Sequence, residues 1–256
     1  MDVQEEASSE DAEEVEVPVV MRELLDNGLL HGDAMTVSGR TLAENLAEAP
    51  RLADLGDQDI VRPVAKPLAP PNNHILVLRG NLAPQSCVLK LSGKTLERGQ
   101  FRGPARVFDS EAETMAAIRA DAIRPGDVIV VRNVGPVGEP GMPEMVMLTI
   151  QLQGRGLGKD VALITDGRFS GVSHGVLIGH ISPEAARGGP IAALRDGDEI
   201  VIDPAQRRLD VALSDAQIAE RMEGWRAPAP TDKVRRGSVR EKYARLVSSA
   251  SEGCVL

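Results

Sequence analysis

The sequence predicts an α+β, β-rich fold, and three observations carry that expectation. From His74 onward, short apolar runs dominated by Val and Ile are cut by Gly and Pro. Ahead of them, Leu and Val recur at three- and four-residue spacing, as on a helix face. Two Ser-x-x-Glu/Gln signatures among the apolar runs mark flanking helices. The 256 residues are 42% apolar, enough for a sizeable core. Phe101, Phe108, Phe169, Trp225 and Tyr243 are the only aromatic residues, so that core must be aliphatic, and their scarcity argues against a surface that stacks nucleobases.

The elements follow in chain order. Residues 1–17 carry eight acids and no Lys or Arg, which accounts for nearly all of the net charge of −9. Such a block reads as an acidic, disordered tail. The remainder is nearly neutral and has no basic footprint for nucleic acid. Residues 18–54 read as a helical arm. Pro18 suits a first turn, Val20, Leu24, Leu25, Leu29 and Leu30 form the stripe, and Gly28 and Gly32 end it. Ser38 to Thr41 restarts a helix with Leu42 and Leu46 on one face. Residues 55–73, with Pro63, Pro67, Pro70 and Pro71, read as a linker. Strands are expected in 74–78, 83–91, 105–108, 127–132, 161–165, 199–202 and 209–213, forming a closed or sandwich-like β structure. Helices are expected at 110–120, 183–187 and 214–224.

No run approaches the ~20 apolar residues of a membrane helix. The acidic N-terminus is neither a secretory signal nor an Arg-rich transit peptide, so a cytoplasmic location is expected, without membrane contact. Cys87 and Cys254 have no CxxC spacing and read as reduced thiols.

Two loops could hold chemistry. Gly135-Pro-Val-Gly-Glu-Pro-Gly-Met-Pro-Glu144 follows an expected strand, and its three glycines and three prolines present Glu144 rigidly. A carboxylate so held suits a hard cation such as Mg2+, and a solvated loop acid is the plainer alternative. Leu163-Ile-Thr-Asp-Gly-Arg-Phe-Ser170-Gly also follows a strand, and Ser170-Gly171 looks like an exposed serine on a strand-to-helix turn. Arg168 stands where a GxSxG elbow requires Gly. Free backbone N–H groups there could hold an anion, and a Gly-rich turn with a capping serine is the alternative. His174 and His180 match no usual zinc spacing. Gly154-Arg-Gly-Leu-Gly158 precedes a strand, which rejects a dinucleotide site.

Several longer motifs resemble the dihydroxy-acid dehydratase family, which includes sugar-acid and phosphogluconate dehydratases. They are Glu23-Leu-Leu-Asp26, Ser38-Gly-Arg-Thr-Leu-Ala-Glu-Asn45, Gly80-Asn-Leu-Ala-Pro84, Gly103-Pro-Ala-Arg-Val-Phe-Asp109, Gly141-Met-Pro-Glu-Met145, Thr165-Asp-Gly-Arg-Phe-Ser-Gly171, Gly179-His-Ile-Ser-Pro-Glu-Ala185, Gly188-Gly-Pro190 and Ser248-Ser-Ala-Ser-Glu-Gly-Cys254. Lys90-Leu-Ser-Gly-Lys94 and Arg207-Arg-Leu-Asp-Val211 look closer to the branched-chain biosynthetic branch. The resemblance runs over about residues 17–256 in family order.

It implies a swivelling β-barrel over 74–256, with the arm a remnant of a preceding domain. It implies dehydration of a 2,3-dihydroxy acid to a 2-keto acid with an iron–sulfur cluster and Mg2+. Ser170 maps onto the base, Glu144 onto a Mg2+ ligand, and Gly171 and Ser173 onto substrate contacts. The cluster cysteines and the other metal ligands belong to the family's first domain. The chain alone is therefore expected to hold neither group tightly and to be inactive, and to associate with itself or with a cluster-bearing first-domain chain. The family has Gly where Ser86, Glu139 and Val172 stand. A non-catalytic binding descendant and half of a sugar-acid dehydratase are the competing readings.

Overall fold

The computed structural model describes residues 17–68, 74–91, 99–228 and 234–256. The acidic run up to Glu16, Pro70 and Pro71 of the linker, and Ser92 to Lys94 lie outside these ranges. The chain divides into two compact units, one ending at Pro71 and the other starting at Asn72.

In the first unit the two expected helices form as α1 (Val17–Asp26) and α2 (Leu42–Leu46), both shorter than the spacing suggested. Gly28 stops α1, taking a left-handed φ of +70° that a side chain would resist. Thr41 and Glu44 close a capping box on α2: Glu44 N–H donates to Thr41 Oγ1 at 3.2 Å and Thr41 N–H to Glu44 Oε2 at 2.7 Å. Arg22 of α1 donates to the carbonyls of Leu46 and Ala47 at 2.8 and 3.1 Å, satisfying the C-terminal end of α2.

The second unit is one eight-stranded, mixed sheet. Its strands are β1 (Ile75–Leu78), β2 (Ser86–Leu91), β3 (Phe101–Phe108), β4 (Val128–Val131), β5 (Ala162–Thr165), β6 (Val176–Ser182), β7 (Glu199–Asp203) and β8 (Arg208–Val211). They lie in the order β1-β2-β6-β5-β4-β3-β7-β8. β3, β4, β5 and β6 pair in parallel, and the remaining pairs are antiparallel. The two outer strands meet where Arg79 N–H donates to Arg207 O at 3.0 Å and Leu209 N–H to Arg79 O at 3.1 Å. The sheet is therefore a nearly closed barrel, and the β-rich α+β expectation holds.

The Gly80-Asn81 corner seals this seam. Asn81 donates to the carbonyls of Val211 and Leu213 at 2.9 and 3.0 Å and accepts from Val211 N–H at 2.8 Å. A Cβ at Gly80 would lie 1.9 Å from Leu209 O, inside any permitted contact. Gly80→Ala should therefore part the seam and cost about 3 kcal/mol. Urea unfolding would register this as a lower midpoint, and an unchanged midpoint would contradict the close approach.

Apolar alternation sorts the core. Leu78, Leu89, Val130, Ile164, Ile178 and Ile202 fill the barrel interior. Ile129, Val131, Leu163 and Leu177 point outward under Ile118 of α3 (Glu111–Arg119) and Met145 and Leu148 around α4 (Val146–Gly154). With both faces covered, β4 and β5 read as continuous apolar runs instead of alternating ones.

Ser110 caps α3 as expected, but Glu113 reaches back to Asp109 N–H at 3.1 Å, one residue short of a true box. The Ser214/Gln217 box does form on α5 (Asp215–Met222). Only a 3-10 turn, Ala185–Arg187, occupies the helix expected at 183–187. β6, α4 and α6 (Val239–Leu246) were not anticipated. β6 hides behind Gly179 and His180, whose left-handed φ of 55° breaks the strand signal while His180 N–H still bonds Gly167 O at 2.8 Å. Among the described residues, no helix is long and apolar enough to cross a membrane.

Candidate active site

Parallel strands deliver their following loops to one edge of the sheet, the usual place for ligands in such sheets. The loops after β4 (132–145), β5 (166–175) and β6 (183–189) meet there. Asp166, fully buried, ties all three together. Its Oδ2 accepts from Asn133 N–H at 3.0 Å and Ala185 N–H at 2.9 Å, and its Oδ1 from Val134 N–H at 3.0 Å. Burial pushes its carboxyl up to about 6, against the pull of these donors and with a further push from the charge on Glu184. Glu184, also buried, accepts from Val137 N–H and Gly138 N–H, both at 3.0 Å. Burial raises its carboxyl as well. Gly135 is required beside it, since a Cβ would meet Glu184 Oε2 at 2.6 Å.

These carboxylates set the loop that carries Glu144. That loop bridges in parallel to the Ser170 loop through Glu144 and Arg168, and Arg168 donates to Met142 O. The two sequence candidates therefore stand on adjacent backbones. Glu144 Oε1 is buried and has no hydrogen-bond partner among the described residues. A buried, unpartnered carboxylate oxygen is costly to hold and calls for a cation or a donor from outside.

Ser170 is half-buried, and its Oγ lies 3.4 Å from the Oγ of buried Ser173. The element after this loop is strand β6, so the serine sits in a strand-to-strand crossover and not at a helix start. Gly171 and Val172 are exposed at the loop tip. Lys90 of β2 reaches the loop from beneath, donating to Ser170 O at 2.9 Å and Ser173 O at 2.7 Å. Burial lowers the His180 imidazole, and the Arg168 charge adds to the shift, so His180 is neutral near pH 7. An open cleft of about 370 Å³, lined by Glu139, Pro140, Gly141, Pro143 and Arg240, adjoins the Glu144 loop.

Among the described residues no group of three or more His, Cys, Asp or Glu could hold a metal ion. Cys87 is buried in β2 with its thiol pushed up to about 12, and burial also raises Cys254, whose Sγ lies 3.8 Å from Met142 Sδ. Neither is a ready thiolate ligand.

Residues 59–254 match the family described as dihydroxy-acid/6-phosphogluconate dehydratase, C-terminal. The chain belongs to this family. It is 52% identical over 240 residues to the dihydroxy-acid dehydratase of Roseiflexus castenholzii, covering 94% of this chain and 41% of that protein. With the dihydroxy-acid dehydratase of Methylibium petroleiphilum it shares 50% over 240 residues, or 94% of this chain and 42% of the relative. With that of Methylococcus capsulatus it shares 52% over 236 residues, or 92% and 41%. The chain thus spans about two-fifths of the length of these dehydratases. Among dehydratase motifs, Thr165-Asp-Gly-Arg and Ser182-Pro-Glu hold the loop-tying carboxylates. Neither motif, as a sequence, gives Asp166 or Glu184 a task. For Asp166 the available signal was an acid directly after an apolar strand, and Glu184 had none.

Proposed function

We propose that this chain forms the base-bearing half of a dihydroxy-acid dehydratase site, acting on a 2,3-dihydroxy acid to give a 2-keto acid in branched-chain amino-acid biosynthesis. The observation that carries the reading is the Glu144–Arg168 bridge, which sets an unpartnered carboxylate oxygen beside the Ser170 loop. Ser170 Oγ, as its alkoxide, takes the proton from C2 as hydroxide leaves C3, and the resulting enol becomes the keto acid by gaining a proton at C3 and losing the one on its C2 oxygen. Ser173 orients the Ser170 hydroxyl, and the N–H of Gly171 faces the anionic end of the substrate.

Glu144 fits one position around Mg2+, and the ion needs several converging oxygen ligands, so the remainder must come from outside the described residues. When bound, Mg2+ supplies positive charge that favours ionised oxygen at the site. An iron–sulfur cluster does not fit this chain's thiols, which are two, both with raised pKa. Such a cluster, as the family uses it, belongs to a first-domain partner of this chain. Self-association is the alternative way to cover exposed Met147 and Ile150 on α4 and Ile75 and Val77 on β1.

Glu144→Gln tests the metal assignment in the chain complemented by a cluster-bearing first domain. The Mg2+ concentration for half-maximal turnover should rise about tenfold or more, because Gln offers a neutral oxygen. An unchanged Mg2+ requirement would remove Glu144 from the ligand set.

A further inference from the structure

Lys90 lies on β2 opposite Leu177 of β6, and its ammonium serves one four-residue segment. Nζ donates to Ser170 O at 2.9 Å, to Ser173 O at 2.7 Å and, in a short contact, to Gly171 O. An ammonium has three N–H groups, so all are committed, and every acceptor belongs to the loop that carries Ser170. Ser173 N–H closes the same turn onto Ser170 O at 3.4 Å. In a trans peptide the carbonyl and the following N–H point in opposite directions. Drawing the carbonyls of Ser170, Gly171 and Ser173 onto one cation therefore turns the N–H groups of Gly171, Val172 and His174 away from it. Among the described residues, none of these three N–H groups has an acceptor.

We propose that Lys90 is the positioning residue for the Ser170 base, gathering three loop carbonyls so that the Ser170 hydroxyl and the loop N–H groups face the substrate. The proposal rests on the reading of Ser170 as base. The β2–β6 pairing already has its own backbone bonds, so the ammonium is not needed to join those strands. Its charge is bonded to the carbonyl of the same residue whose hydroxyl must ionise, and a nearby cation favours the alkoxide. Burial lowers the Lys90 ammonium, and three carbonyl oxygens offset that cost by solvating only its charged form.

Lys90→Met and Lys90→Arg test this with two independent readouts. In the chain itself, NMR order parameters of residues 171–174 should fall in Lys90→Met from about 0.85 to below about 0.6, with the barrel strands unchanged. In the chain complemented by a cluster-bearing first domain, Lys90→Met should lower kcat about 100-fold with KM within about threefold. Its rising pH limb should move about one unit upward, because removing a cation raises the pKa of the base. Lys90→Arg keeps the charge and should restore the pH limb, while its planar fork recovers kcat only in part. An ordered loop in Lys90→Met would overturn the clamp. A loosened loop with wild-type kcat and pH limb, where Ser170→Ala is inactive, would overturn the positioning role. A Ser170→Ala variant that stays active would instead refute the base reading, and the order parameters would still decide whether Lys90 holds the loop.

Discussion

Ser170→Ala in the complemented enzyme should lose turnover by about 10⁴-fold while folding and partner assembly persist. Among the described residues the hydroxyl makes one side-chain contact, the 3.4 Å approach to Ser173 Oγ, so its removal breaks no network there on which the barrel depends. A positioned base contributes up to about 10⁴-fold on its own, and an alanine has no atom that can replace it. Keto-acid formation and sedimentation, measured on one preparation, separate chemistry from assembly. Turnover within tenfold of wild type would remove Ser170 from the proton transfer. Loss of assembly along with activity would mean that the side chain supports the interface instead.

Asp166→Asn should be the most damaging single change to stability, costing about 3–5 kcal/mol. Asp166 offers acceptors on both oxygens to N–H groups of Asn133, Val134 and Ala185. An amide has one oxygen, so in either orientation its NH2 confronts at least one backbone N–H at the junction of the three loops. The variant also carries a pH signature. The folded carboxyl is raised from the ordinary 3.8 to about 6, so the folded state binds the proton more tightly than the unfolded chain. Its contribution favours folding below about pH 4 and is lost as pH rises through 6, to a total of about 3 kcal/mol. Glu184, which faces Asp166 and is raised by the same cause, adds a slope of the same sign. Urea unfolding between pH 4 and 7 should show a shallower slope in Asp166→Asn, with the remainder belonging to Glu184. An equal slope would mean that Asp166 does not titrate there.

Strand content was legible wherever burial left a simple pattern. β4 and β5, covered on both faces, show as unbroken apolar runs over Val128–Val131 and Ala162–Ile164, and β7 and β8 alternate. β6 was not, because Gly179 and the left-handed His180 interrupt it for a bond to Gly167 that only the fold reveals. α4 was masked because most of its face is apolar, with Met147 and Ile150 exposed beside buried Leu148 and Leu152. At the site, Glu144 and Ser170 stand out locally, one on a Pro/Gly-stiffened loop and the other beside a glycine. Lys90 gives no local sign of its task, since it lies 80 residues from Ser170 and meets it only through the β2–β6–β5 pairing. Asp166 and Glu184 act by receiving backbone N–H groups from distant loops, a role that no short motif encodes.

In the reading proposed above, this chain supplies the base-bearing half of a dehydratase and the rest of the chemistry comes from elsewhere. Keto-acid formation from a 2,3-dihydroxy acid, assayed after anaerobic reconstitution with iron, sulfide and Mg2+, tests it most directly. The chain alone should bind no cluster and form no keto acid, and adding a cluster-bearing first domain should restore turnover. Keto acid from the chain alone, or none from the combination once both parts are assembled and loaded, would contradict it.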